Sequence, residues 1–245
     1  MEPKKISIRQ ILSDTSKSPF QKYKDLTVGE NGIGGFLVYE TLSALLGPIS
    51  GALGIFLRQK IYPHFFKRCG RRLIIGRNCT FRHPSKMSFG DNVTIDDNTL
   101  IDARGATGKG VVFGDGVIIN RNSIVQSKNG DIEIGKSVSI GTNSTIVSWS
   151  GISIGDCALI AGGCYLSAGR FDFDDLTKTI AGQDGYSTGP IVIGENVWLA
   201  TRVTVIDGVR IGAGSIISAG SVVTGNTPPG AVAHGNPAKV VFTRR

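Results

Sequence analysis

The densest group of chemically capable side chains lies between Leu166 and Ile193, in the stretch SAGRFDFDDLTKTIAGQDGYSTGPIV. Phe171, Phe173 and Tyr186 stand there beside Asp172, Asp174, Asp175 and Asp184. A carboxylate held among rings loses hydration, which raises its pKa and suits it to take a proton from a hydroxyl. The same acids also read as loop caps, or as partners of Arg170. Histidine is the usual base near neutral pH, yet it occurs only as His64, His83 and His234, all outside this stretch. Cysteines 69, 79, 157 and 164 show neither CxxC pairs nor a histidine cluster at zinc spacing, so no metal is expected. Cys79 and Cys164 fall where small packing groups belong.

The elements that must position this stretch carry a six-residue beat. After it, Ile193, Leu199, Val205, Ile211, Ile217 and Val223 each open a hexad, and Val197, Val203, Val209, Ser215 and Ser221 follow four places later. No helix of 3.6 residues per turn keeps such a beat on one face, and a lone strand alternates every second residue. Three six-residue flats closing one triangular coil fit it, each flat putting an aliphatic and a small side chain inside. The beat begins near Ile75, and coils start at Phe89, Phe113, Ile134, Ile154, Ile193 and Ile211, with steps of 24, 21, 20, 39 and 18 residues. The step of 39 contains the acidic and aromatic stretch as a long excursion. Its rings point to contact with a substrate or a second subunit.

Three regions follow: 1–72 as an N-terminal arm and apolar, basic helical segment; 73–225 as the solenoid, with the excursion at 167–192; and 226–245 as a tail. The first thirty residues read as a mobile or docked arm. The uncharged run from Thr41 to Leu57 is short for a membrane span and is interrupted by Gly47 and Pro48, so two short helices are expected. They read either as a cap over the open end of the solenoid or as a peripheral membrane contact. Net charge is +8, with 12 basic against 5 acidic residues in 1–72, but aromatics do not interleave with the basic residues as in a nucleic-acid module. No nucleic-acid partner is expected. The cysteine usage and the polar start, which lacks a secretory pattern, predict a cytoplasmic protein, at the inner membrane face if the contact exists.

The hexads, the phrase IGENVWLATRVTVIDGVRIGAGSIISAGSVVT and the closing TPPGAVAHGNPAKVV resemble the left-handed β-helix hexapeptide acyltransferases of the maltose and galactoside O-acetyltransferase type, from Ile75 onward. The N-terminal part is similar to acyltransferases of surface-polysaccharide assembly. The fold class implied is all-β: a left-handed parallel β-helix with an N-terminal helical segment and a long excursion loop. Handedness rests on the resemblance alone, because crossover connections are normally right-handed. The resemblance also implies a homotrimer, acetyl-CoA or coenzyme A bound between subunits, and Thr201, Ala219, Thr224 and Lys239 lining that cleft. It implies acyl transfer to a glycan or lipid-linked sugar hydroxyl. The family's catalytic histidine, counted without gaps from Ile154-Gly155-Asp156, falls here on Phe171. Asp172 and Asp174 are the replacement bases expected, Asp172 first because it adjoins that position. The other reading is a catalytically silent trimeric scaffold at a membrane surface.

Overall fold

The computed structural model describes residues 15–29, 32–183 and 185–244. Its body is a parallel β-solenoid whose three flats build three sheets, two of seven strands and one of nine. The expected coil starts Phe89, Phe113, Ile134, Ile154, Ile193 and Ile211 lie in register in the first sheet. Ile75, Ile95, Ile119, Ile140, Ile160, Leu199 and Ile217 form the equivalent column in the second, fully buried. Like stacks on like because each coil repeats the one below about 4.8 Å away. The rings of Phe89 and Phe113 accordingly lie parallel, with centroids 5.0 Å apart. The solenoid starts one flat earlier than the beat suggests, at Arg68–Cys69, where Cys69 pairs with Phe89. A thiol in the opener position hides that hexad from an aliphatic pattern.

Corners explain the other recurring residues. The third residue after the first- and second-sheet openers takes a left-handed conformation, as at Asn78, Asn92, Asn98, Asn122, Asn143 and Asn196, or at Gly116, Gly163, Gly214 and Gly220, and Gly208 does so after Val205 in the third sheet. Asn and Gly tolerate this region best, so the corner selects them. Ser137, Cys157 and Arg202 occupy it at φ of 53, 59 and 59°. The steps of 21 and 20 arise where third-sheet strands lengthen to four residues, at Ile124–Ser127, Thr145–Ser148 and Tyr165–Ala168, and bury Ser127, Ser148 and Ala168.

Three helices cover the first coils: α1 (Pro19–Thr27), α2 (Ile33–Leu46) and α3 (Gly51–Ile61). The expected break at Gly47-Pro48 separates α2 from α3. Part of the expected arm is therefore α1, started by Ser18 and Gln21 in a reciprocal capping box with Pro19 in the first turn; residues 1–14 lie outside the described residues. Leu46, Tyr62 and Phe66 join the solenoid core, and the Tyr39 hydroxyl donates to the Phe81 carbonyl. The tie between cap and coil is Arg58, 1% exposed. Its guanidinium donates to the Leu46 and Ile49 carbonyls at 2.8 and 2.7 Å, and to Ile75 O of the first coil at 2.9 Å. A helix end leaves carbonyls without intrahelical donors, and a cation there also meets the negative end of the helix dipole.

At the other end the strands Ala231–Gly235 and Ala238–Thr243 form an antiparallel hairpin on the second sheet. Two outcomes test this description. Arg58→Met leaves buried carbonyls without donors and is expected to cost about 3 kcal/mol in a urea unfolding curve. Cys157→Asn relieves the corner and is expected to gain about 0.5–1 kcal/mol in the same measurement.

Candidate functional site

The residues singled out above divide between two corners of the triangular solenoid. On the corner joining the second sheet to the third, Thr201 and Ala219 stack in successive coils, with Gly220 N donating to Thr201 O at 2.9 Å. The hairpin extends the same column: Ser218 N donates to Ala233 O at 2.9 Å, and the next residue, His234, pairs with Lys239 across the hairpin. Thr201, Ala219, His234 and Lys239 are all exposed. Small side chains leave backbone accessible along this edge, and Lys239 places a cation at its end. Such an edge suits a long, thin ligand with an anionic terminus.

The excursion leaves and re-enters at the other end of the third sheet. Its stem is a short antiparallel pair, Arg170–Phe171 with Gly185–Tyr186. The stem packs on Trp149: a Cβ on Gly169 would fall 2.4 Å from the Trp149 side chain, and one on Gly185 would fall 2.1 Å from it. No larger residue fits at either place. Phe171 meets the Trp149 ring edge-on at 5.8 Å, and Lys128 lies over that ring at 5.0 Å. Arg170 stacks over Tyr186, its partner across the stem, at 5.3 Å. The returning end is tied by Ser150, whose hydroxyl donates to Gly189 O at 2.8 Å, and by Thr188, whose N–H and hydroxyl reach Asp207 at 2.7 Å. Asp207 is 6% exposed, so this anchor belongs to the solenoid wall. Thr224 follows Val222–Val223 and therefore stands on the excursion's edge, away from Thr201 and Ala219.

Within the loop, Asp172 Oδ1 accepts from Phe173 N at 2.8 Å and Asp174 N at 3.2 Å. This is the capping role weighed from the sequence. Phe171 and Phe173 are themselves exposed and do not enclose it. Asp174 is exposed. Asp175 is held below the usual carboxylate range by the Thr177 hydroxyl and by Lys178, with the Thr177 N–H adding to them. That stabilised charge makes Asp175 a poor base. Asp184 lies outside the described residues.

Other titratable groups sit elsewhere. His83 packs under α1 with Nε2 2.8 Å from Asp25 O, and burial pushes its imidazole pKa down. Cys164 is buried in the wall, where desolvation pushes its thiol up. Among the described residues no group of three or more His, Cys, Asp or Glu could hold a metal ion. Trp149 and Lys128 are the members of this surface that the sequence pattern did not single out, whereas Tyr186 was among the rings expected to make contact. Trp149 was legible in one respect: it follows a lengthened strand at a corner, where a large ring has no place inside the coil.

Comparison with known proteins agrees with the repeat. Residues 190–225 match the bacterial transferase hexapeptide model of six repeats, and residues 131–168 match the hexapeptide repeat of succinyl-transferase. A probable acetyltransferase of Mycobacterium tuberculosis is 33% identical over 53% of this chain and 43% of its own length. Galactoside O-acetyltransferase of Escherichia coli is 40% identical over 47% of this chain and 55% of its own length. The match thus spans about half the length of these curated relatives. Among solved structures, the Bacillus cereus N-acyltransferase AntD, in complex with dTDP-4-amino-4,6-dideoxyglucose and coenzyme A, aligns over 77% of this chain and 89% of that one. Its TM-score is 0.56 at 19% identity, a likeness of fold. The chain is a left-handed β-helix of hexapeptide repeats, similar in sequence to bacterial acetyltransferases.

Proposed function

We propose that this protein is an acyl-CoA-dependent acyltransferase, with acetyl-CoA as donor and the hydroxyl of a glycan or lipid-linked sugar as acceptor, acting in the cytoplasm as a homotrimer. The observation that carries the reading is the exposed column of Thr201, Ala219 and the His234–Lys239 pair, in coils that match the transferase repeat. A pantetheine arm would lie along the small residues, and Lys239 would meet the phosphorylated nucleotide. The similar B. cereus enzyme was solved with both coenzyme A and a nucleotide sugar, which supports a fold able to hold that pair.

The reaction needs a base for the acceptor hydroxyl. Asp172 would take that proton as the oxygen bonds to the thioester carbonyl carbon. The tetrahedral oxyanion would be met by backbone N–H groups. Its collapse breaks the C–S bond, and the proton passes to the departing thiolate, leaving ester and free coenzyme A. With Phe171 where the resembled family has histidine, Asp172 carries the step that the imidazole carries there. The capping bonds on Asp172 favour one other reading, a silent scaffold that keeps the coenzyme edge.

Coenzyme edge and acidic loop lie at opposite ends of the third sheet, so one copy supplies half of a site at each corner. Copies arranged in a ring bring the loop of one against the coenzyme edge of the next. Ile74, Ile118, Leu159 and Trp198 stand exposed in one column on the second sheet, with Thr94 and Ser139 between them, an apolar stripe suited to cover by a neighbour.

Lys239→Ala is expected to weaken coenzyme A binding by about tenfold in calorimetry, and Asp172→Asn to lower turnover steeply with coenzyme affinity kept. Co-refolded in equal amounts and assayed with donor well below saturation, the two variants are expected to regain about one quarter of the parental rate, because about one junction in four of a random ring has both halves intact. Absence of any regain would place the site within one chain. Coenzyme binding without turnover, for parent and Phe171→His alike, would favour the scaffold.

A further inference from the structure

The cap carries more apolar surface than covering the solenoid requires. α2 reads IGGFLVYETLSALL and is apolar around its whole circumference, a character found in helices enclosed by protein or lipid. Here only one side is enclosed. Phe36, Tyr39 and Leu46 face the protein, while Leu37 is 51% exposed, with Ile33, Val38 and Leu45 also open. The same division holds in α3. Gly54 and Arg58 are buried, whereas Leu53 is 63% and Phe56 55% exposed. Contiguous apolar helix faces of this kind on a soluble surface mark a contact with something.

Charge says what that something is. From Thr41 to Gly90 the chain has no Asp or Glu, yet it has nine Lys and Arg. Arg58 is internal, and Arg71 and Arg77 pair with Asp91 and Asp97. Lys60, Lys67, Arg68 and Arg72 are exposed. Lys60 lies over the Phe56 ring at 5.9 Å, so cation and apolar face are contiguous. The one acid of α2, Glu40, accepts from the Tyr23 hydroxyl of α1 at 3.0 Å. An apolar face bordered by cations and lacking carboxylates is complementary to an anionic lipid surface, with acyl chains for the face and phosphates for the border.

Helix lengths set the depth. At 14 and 11 residues, α2 and α3 extend about 21 and 17 Å, short of the roughly 30 Å hydrocarbon core. Among the described residues no helix is long and apolar enough to cross a membrane. We infer that the α2–α3 pair docks the protein on an anionic lipid surface, its outer side chains entering the headgroup boundary while the helices lie along it. This does not depend on the acyltransferase reading.

The test is co-sedimentation of the full chain with vesicles of equal parts phosphatidylglycerol and phosphatidylcholine. Binding is expected, weakening with added salt and falling at least several-fold on vesicles of phosphatidylcholine alone. Leu53→Glu with Phe56→Glu is expected to lower affinity at least tenfold, with the circular-dichroism melt of the parent retained. Should that pair unfold the cap, Leu53→Trp provides the reading, its added indole emission shifting to the blue on vesicle addition. Any of these results would overturn the inference: no binding to anionic vesicles, equal binding by the Glu pair, an unshifted emission from the Leu53→Trp variant, or a change of mass in solution for the Glu pair, which would show that a second copy covers this face. Loss of binding on deleting residues 1–14, with the Glu pair still bound, would also overturn it.

Discussion

In-register stacking between coils is the constraint on which the rest depends. Each coil hydrogen-bonds to the next along all three flats, so a residue's environment is set by its place in the hexad and by the same place one coil away. The corners after the first and second flats then require a left-handed residue, and the interior requires an apolar one. A flat cannot accept an extra residue without shifting register and turning every later side chain over. Additional chain is accommodated at corners, or in matched lengthening of neighbouring strands. Chemistry on such a molecule is therefore confined to edges, and both halves of the proposed site lie on edges.

How much of this was legible follows from the same constraint. Phe89, Phe113, Ile134, Ile154, Ile193 and Ile211 could be identified as one column because a sustained period survives without knowing the fold. Cys69 could not, since a single thiol breaks the aliphatic pattern while filling the same place. The α2–α3 break was visible in Gly47-Pro48. The helix α1 carried a readable start in Ser18, Pro19 and Gln21 but too few apolar residues to stand out by periodicity. Long-range partnerships were beyond reach. Nothing in the sequence says that Arg58 spans from the end of α2 to the first coil, or that Trp149 supports a loop that begins twenty residues later. The residues expected to line a coenzyme cleft came from family resemblance, and only the fold showed that Thr224 stands on a different edge from Thr201 and Ala219.

The two ends of the solenoid differ in character. The helical cap closes the first coils and presents the apolar, basic face, while the proposed coenzyme edge belongs to the last coils. Five steps along the second sheet separate the strand at Ile74–Ile75 from that at Trp198–Leu199, about 24 Å at the usual strand spacing. An acceptor that reaches the acidic loop from a lipid surface would have to span a comparable distance when the stack stands upright. Extended glycans meet that requirement more readily than a single sugar on a short linker.

The central claim is that a thioester donor binds along the Thr201–Ala219 corner with the acidic loop of another copy closing over it. A crystal structure grown with coenzyme A tests this most directly. The account predicts pantetheine against Thr201 and Ala219, the phosphorylated nucleotide beside Lys239, and the thiol facing Asp172 of a second copy. Coenzyme bound along a flat of one copy, or away from this corner altogether, would contradict it.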